Sequence, residues 1–263
     1  MNSAVLWEGE TQLPGQTGRV AAIITGINGS SKNRKTGAMP QVWYIPTDQG
    51  HLVGGDGAVM TGRDSAVCGT CKHRPSQNGV CYVIIARGPQ RIWHTYQRDG
   101  YPRPPLGDIR EALRGKTVRF GAYGEPPSIP RSVYGELLPV LAGWQGYTHA
   151  WTQLQAAEWG FLMASTDTRV EKTEARARGW RTFHVRLPGE PVDARERVCP
   201  ASAEAGYKAT CLQCGACNGD ADPHRAYVHA PADGRPGRVI VAHGFRAGRF
   251  ARAARQLRLF LGV

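Results

Sequence analysis

Cys199, Cys211, Cys214 and Cys217 fall in one short stretch, CPASAEAGYKATCLQCGAC. Two-residue gaps let successive thiolates fold back toward a common point, the spacing of a thiolate metal site: tetrahedral zinc, or alternatively an iron–sulfur cluster. His224, His229 and His243 lie downstream, and His243, ending the run VIVAH, is placed to replace one thiolate. A second group, Cys68, Cys71 and Cys81 in CGTCKHRPSQNGVC, is one ligand short. Either His73 completes a Cys3His site, or the fourth position stays open for catalysis or for a cluster with one free iron.

Acids, imidazoles and hydroxyls recur at the ends of four short apolar runs. TVRFGAYGEPP delivers Tyr123 and Glu125, and GYTHAW delivers Tyr147, Thr148 and His149. MASTDT delivers Ser165, Thr166 and Asp167, and FHVR delivers His184 and Arg186. In parallel α/β folds working residues gather at the carboxyl ends of strands, so these groups face a shared pocket if the runs are parallel strands. Asp167, Glu125 and His149 are the candidate catalytic groups; Tyr123, Tyr147, Thr166, His184 and Arg186 are candidate substrate contacts. Each has a plainer role open to it. Asp167 caps the helix after it, Glu125 binds a backbone donor in its proline-rich turn, and His149 is a core histidine. His184 faces opposite to Phe183 and Val185, into a barrel or away from it.

The elements that must position these groups read as one α/β domain over 1–263. Residues 1–64 hold an N-terminal β-hairpin, with strands Val20–Ile24 and Gln41–Ile45 about a polar loop carrying Lys32, Arg34 and Lys35, residue types suited to a phosphate backbone. Residues 65–100 hold the first cysteine group and a helix from Tyr82 to Gln97. A βα core spans 108–190: helices Asp108–Arg114, Ser132–Ala142, Gln153–Trp159 and the charged TRVEKTEARARGW, alternating with TVRFGAYG, GYTHAW, FLMASTD and RTFHVRL. That alternation predicts parallel βα units forming a partial or complete TIM-like barrel, with Cys-rich metal-binding insertions. Residues 195–245 hold the second cysteine group and a last strand, RVIVAHG, before an Arg-rich helix, Ala247–Leu261.

The net charge is +12, and 27 of the 33 basic residues are arginine, whose fork matches phosphate oxygens. This footprint points to nucleic acid as partner. No stretch reaches the roughly 18 apolar residues of a membrane span, and the first residues lack the basic and apolar regions of a signal peptide. Clustered, odd-numbered cysteines then fit a reducing cytoplasm and metal ligation rather than disulfides.

The first cysteine group ending in GVCY, the VRFG strand with its acidic turn, the GYTH strand and CPAS…CxxCxxC resemble the phage "gene product eighty-eight" group, over roughly residues 65–245. More distantly the chain is similar to the 7-deazaguanine DNA transglycosylases, barrel enzymes that exchange guanine for a deazaguanine in DNA. Those carry a zinc-bound Cys-x-Cys-x-x-Cys and a histidine; here the first gap is two residues and an extra cysteine stands upstream. The resemblance implies a zinc-containing, DNA-base-modifying transferase of phage or mobile-element type, handling a modified purine. Asp167 or Glu125 would be the nucleophile at the sugar C1′, and Tyr123, Tyr147 and Trp151 would stack on the displaced base. An iron–sulfur, radical-type enzyme and a non-enzymatic zinc-stabilised nucleic-acid-binding protein are the alternatives.

Overall fold

The structure, a computed structural model, describes residues 1–219 apart from 30, 32, 49, 55, 80, 187–189, 194 and 195. Lys32, the three downstream histidines, the last strand and the Arg-rich helix lie outside the described residues.

Eight strands follow one another in chain order across two sheets. The first sheet holds β1 (Ser3–Glu10), β2 (Arg19–Thr25), β3 (Gln41–Pro46), β4 (Thr117–Tyr123) and β5 (Gly143–Gln145); the second holds β6 (Tyr147–Thr148), β7 (Met163–Thr166) and β8 (Thr182–His184). β1–β2 and β2–β3 pair antiparallel, and every later pair is parallel. The fold is therefore mixed α/β with an N-terminal hairpin feeding parallel strands, and no closed barrel forms among the described residues. Buried Val20–Ile24 on β2 and Val118 and Phe120 on β4 anchor the main core, as expected for strands covered on both faces.

Gly146 alone separates β5 from β6, so one kinked strand passes from sheet to sheet. Its carbonyl accepts from Met163 N–H and its own N–H donates to the Cys217 carbonyl. A Cβ at this position would sit 2.4 Å from Leu162 Cδ2, so only glycine lets β7 come this close.

The helices are α1 (Ala58–Thr61), α2 (Ser65–Cys68), α3 (Gly88–Gln97), α4 (Leu106–Leu113), α5 (Arg131–Leu137), α6 (Ala156–Trp159), α7 (Arg169–Ala177) and α8 (Cys211–Cys214). Most are shorter than the periodicity predicts. α3 starts at Gly88 rather than Tyr82, because Pro89 has no N–H to donate and suits only a first turn. α6 is a single turn, and the residues after Leu137 tighten into a 3-10 turn at Pro139. β1 is the addition that the sequence reading did not contain: only Ala4, Val5 and Leu6 of it are buried, and its outer half is polar.

Candidate metal centre and its thiol neighbours

The candidate site lies at the carboxyl ends of β4, β6 and β7, where the parallel strands deliver Glu125, His149 and Asp167 just past their last residues. Gly124, at φ +78°, turns the chain after β4 under Tyr44, where a Cβ would meet Tyr44 Cβ at 2.8 Å. The next residue, Glu125, donates its N–H to the Val67 carbonyl in α2 at 2.6 Å. That bond joins the strand end to the first cysteine segment. Arg74 fixes the segment from within: its Nε and Nη2 donate to Asp64 Oδ1 at 3.0 and 2.7 Å, its Nη1 to the Gly69 carbonyl at 2.8 Å and its Nη2 to the Gly62 carbonyl. The loop between, carrying Cys68, Cys71 and His73, is thereby held against the sheet edge.

Glu125 is fully engaged. Both oxygens accept the His149 backbone N–H at 3.1 Å, and Oε1 lies 2.9 Å from His149 Nδ1. The carboxylate therefore orients the imidazole, the arrangement found behind metal-ligating histidines. The same ring hydrogen-bonds the Cys71 thiol. Burial opposes charge on His149, but Cys71 and Glu125 together push its pKa well above the usual histidine value. The place favours positive charge.

Asp167 reaches the pocket from the other side. His73 Nε2 stands 2.9 Å from Asp167 Oδ1, and Lys72 Nζ stands 3.2 Å from Oδ2. Burial would raise the Asp167 carboxyl, but His73, His149 and Lys72 bring it down to about 2. Although His73 Nε2 and Asp167 Oδ1 are so close and both are buried, neither makes an aligned hydrogen bond. A separation of 2.9 Å is compatible with two ligands on one ion as well as with an ion pair. Ligand atoms of His73, His149 and Asp167 all lie within 4.8 Å of one another, the one such group of three among the described residues. The donor set, two imidazoles and a carboxylate, suits zinc, iron(II) or manganese.

Asp167 does not cap α7. Thr168 does, its Oγ1 accepting from Glu171 N–H at 3.1 Å while Glu171 Oε2 accepts from Asp167 N–H at 2.6 Å. This cap, with Glu171 reaching back to the residue before it, leaves the aspartate side chain to His73 and Lys72. Lys72 and Glu171, bonded at 2.8 Å, were missed in the sequence reading. Lys72 sits between two named residues in CKHR, and T-x-x-E at Thr168–Glu171 is a visible capping signature.

Cys68, Cys71 and Cys81 lie in charge range of one another beside this pocket: burial raises the Cys68 thiol, and Cys71 and Cys81 raise it further. Burial pushes Cys81 up to about 11. His73 turns toward Asp167, and the group of three does not contain a thiol. Cys199, Cys211 and Cys217 are buried together with Met39, Met163 and Phe183. Burial and the other thiols of the quartet push Cys217 up to about 12. Tyr147 hydrogen-bonds Cys217, and Lys35 is drawn against Cys211, Cys199 and Cys217, away from the phosphate-facing place its loop suggested. Burial and Arg119 both lower the Lys35 pKa. Arg34 lies 4.4 Å over the Tyr207 ring.

Tyr123 is buried beside Cys68 and Cys81 of the first thiol group. Trp151 is in the core and donates to the Ser165 carbonyl at 3.0 Å, and Thr166 is wholly buried. His184 Nδ1 lies 2.9 Å from Glu196 Oε1, which also accepts from buried Lys172 at 2.7 Å. Arg186 is buried against Glu204. The half-exposed aromatic nearest the first cysteine group is Tyr82, whose hydroxyl accepts from Arg119 at 3.3 Å. Among the described residues no helix is long and apolar enough to cross a membrane. Comparison with protein-family models, with curated proteins and with solved structures finds no match for this chain.

Proposed function

We propose that this protein is a metal-dependent enzyme that modifies a base in nucleic acid, with its reaction centre at His73, His149 and Asp167. One observation carries the reading: His73 Nε2 and Asp167 Oδ1 face each other as an ion pair at 2.9 Å without an aligned hydrogen bond, and a ligand atom of His149 lies within 4.8 Å of both. Orphaned polar atoms are costly in an interior, and a shared cation satisfies both. When bound, such an ion supplies Lewis-acid chemistry and a water ionisable near neutral pH. The protein's own groups do the rest. Glu125 locks the His149 ring, Lys72 screens Asp167, and Cys71 stands at the edge as a proton donor or further ligand.

The net charge of +12 supports nucleic acid as the substrate class. The quartet of Cys199, Cys211, Cys214 and Cys217 is assigned a structural role, as zinc or an iron–sulfur cluster. Base exchange through a carboxylate at C1′ fits less well, since Glu125 is spent on His149 and Asp167 on His73 and Lys72.

Elemental analysis of the purified protein, paired with nucleoside mass spectrometry of nucleic acid from producing cells, tests the proposal. A bound divalent ion lost in both His73→Ala and Asp167→Asn, with a new nucleoside made only by the parent, is the expected result. Full metal content in both variants would overturn the centre.

A second reading rests on Cys71 beside the His149 ring that Glu125 orients, the residue types of a thiol nucleophile and its base. Metal-free protein whose activity is abolished by Cys71→Ser but kept in His73→Ala would select it.

A further inference from the structure

From the arginines that flank and line α3, we infer that this helix is the docking surface for a single strand of nucleic acid, gripped by its phosphates. The inference rests on nucleic acid being the substrate. Arg87, Arg91, His94 and Arg98 recur at intervals of four, three and four residues, with Arg87 and Arg98 at the two ends of α3. At about 100° per residue they share an arc of about 60°, and the rise places them about 4.5–6 Å apart along the axis. Pro89 and Trp93 bury the opposite face. All four basic residues are exposed.

The neighbouring acids are already taken. Asp99 pairs with Arg103, while Glu8 accepts from Tyr96 at 2.9 Å and faces Arg103 at 3.6 Å. Arg87, Arg91 and Arg98 consequently form no ion pair among the described residues. Arg87 and Arg91 stand about 6 Å apart along the axis and Arg98 about 10.5 Å further, with His94 between, and this uncompensated basic row is complementary to an extended polyanion.

The row also leads to the right place. Gly88, at the start of α3, lies against Trp43, where a Cβ would stand 3.0 Å from the indole. Trp43 pairs with Tyr123 at the carboxyl end of β4, one residue before the turn into Glu125. Just ahead of α3, Cys81 belongs to the first thiol group, and Tyr82 beside it is half-exposed. A duplex keeps its bases stacked and out of reach of a buried centre; a single strand laid along α3 presents a base to Tyr82 at the pocket's edge.

Fluorescence anisotropy of a labelled oligothymidylate on the full chain, across a salt series, tests this. The triple variant Arg87→Ala, Arg91→Ala, Arg98→Ala is expected to bind at least about tenfold more weakly, with a log K against log salt slope shallower by about 2. The triple lysine variant should keep the slope. A control carrying Arg19→Ala, Arg63→Ala and Arg114→Ala loses the same charge from other elements and should keep most of the affinity. Equal losses in stripe and control variants, an unchanged stripe variant, or no binding by the parent would each overturn the surface. Asp167→Asn is expected to bind as the parent does while losing its metal and its reaction; a variant that binds and keeps both refutes the chemistry and leaves the surface standing.

Discussion

At the scale of single residues, His73 shows what a sequence can and cannot say. Its place two residues after Cys71 suggested a fourth ligand for the thiols. In the structure its partner is Asp167, 2.9 Å away but remote in the chain, and no local pattern announces such a pair. Glu125, His149 and Asp167 were legible because strand ends are where α/β folds put their chemistry. That Glu125 serves His149 was not, since only the turn at Gly124 brings its carboxylate under the ring. Replacing Glu125 with Gln is expected to weaken metal binding by about 10–100-fold while leaving the melting temperature near that of the parent, measured by competition against a chelator dye. A second residue-scale prediction concerns Lys172, buried with Nζ on Glu196 and Asp193. Lys172→Ala strands the Glu196 carboxylate and should cost about 3–5 kcal/mol in denaturant unfolding. Burial works against ionised Glu196, but Lys172, the Asp193 backbone and His184 outweigh it and lower its pKa. That stabilisation is complete above the ordinary glutamate range and disappears as pH falls through the lowered folded value. The acid limb of the parent's stability curve should accordingly be steeper than that of Lys172→Ala; equal limbs would remove Glu196 from the account.

At the scale of elements, the strands were read more faithfully than the helices. Val20–Ile24 and Gln41–Ile45 are dense β-branched or aromatic runs closed by Gly and Pro, and β2 and β3 form over them. The helix readings ran long because amphipathic spacing continues through residues that local chemistry excludes: Gly88–Pro89 at the start of α3, Pro139 after α5. β1 escaped because its apolar run is short and its stabilisation comes from β2, a partner that the run itself does not reveal. Two substitutions test the element-level account. Thr168→Ala removes the cap of α7 and should cost about 1 kcal/mol by thermal unfolding, with little loss at the pocket if Glu171 still holds Asp167 N–H. Gly146→Val forces a side chain into Leu162 and should cost about 1–3 kcal/mol or more. A valine variant as stable as the parent would show that the sheets are not in such close contact there.

At the scale of the whole molecule, composition made the charge legible and left its placement hidden. The loop of Lys32, Arg34 and Lys35 was expected to grip phosphate; Lys35 lies in charge range of Cys211, Cys199 and Cys217, and Arg34 is exposed over the Tyr207 ring. The exposed basic row is on α3, where the spacing of four, three and four was present in the sequence but merged with the general excess of arginine. The barrel expectation had a similar basis. Sequential strand order is common to barrels and open sheets, and here the order is kept through a break at Gly146 among the described residues.

That break has a consequence for the triad. Cys217 accepts the Gly146 N–H at its carbonyl and its thiol lies beside Tyr147, and His149 lies only two positions further on. Seating the distal thiols therefore sets the pitch of the very ribbon from which the imidazole projects. On the metal-centre proposal, Cys211→Ser or Cys217→Ser should therefore shift the placement of His149 and weaken the triad's hold on an ion while every residue of that triad is still in the chain.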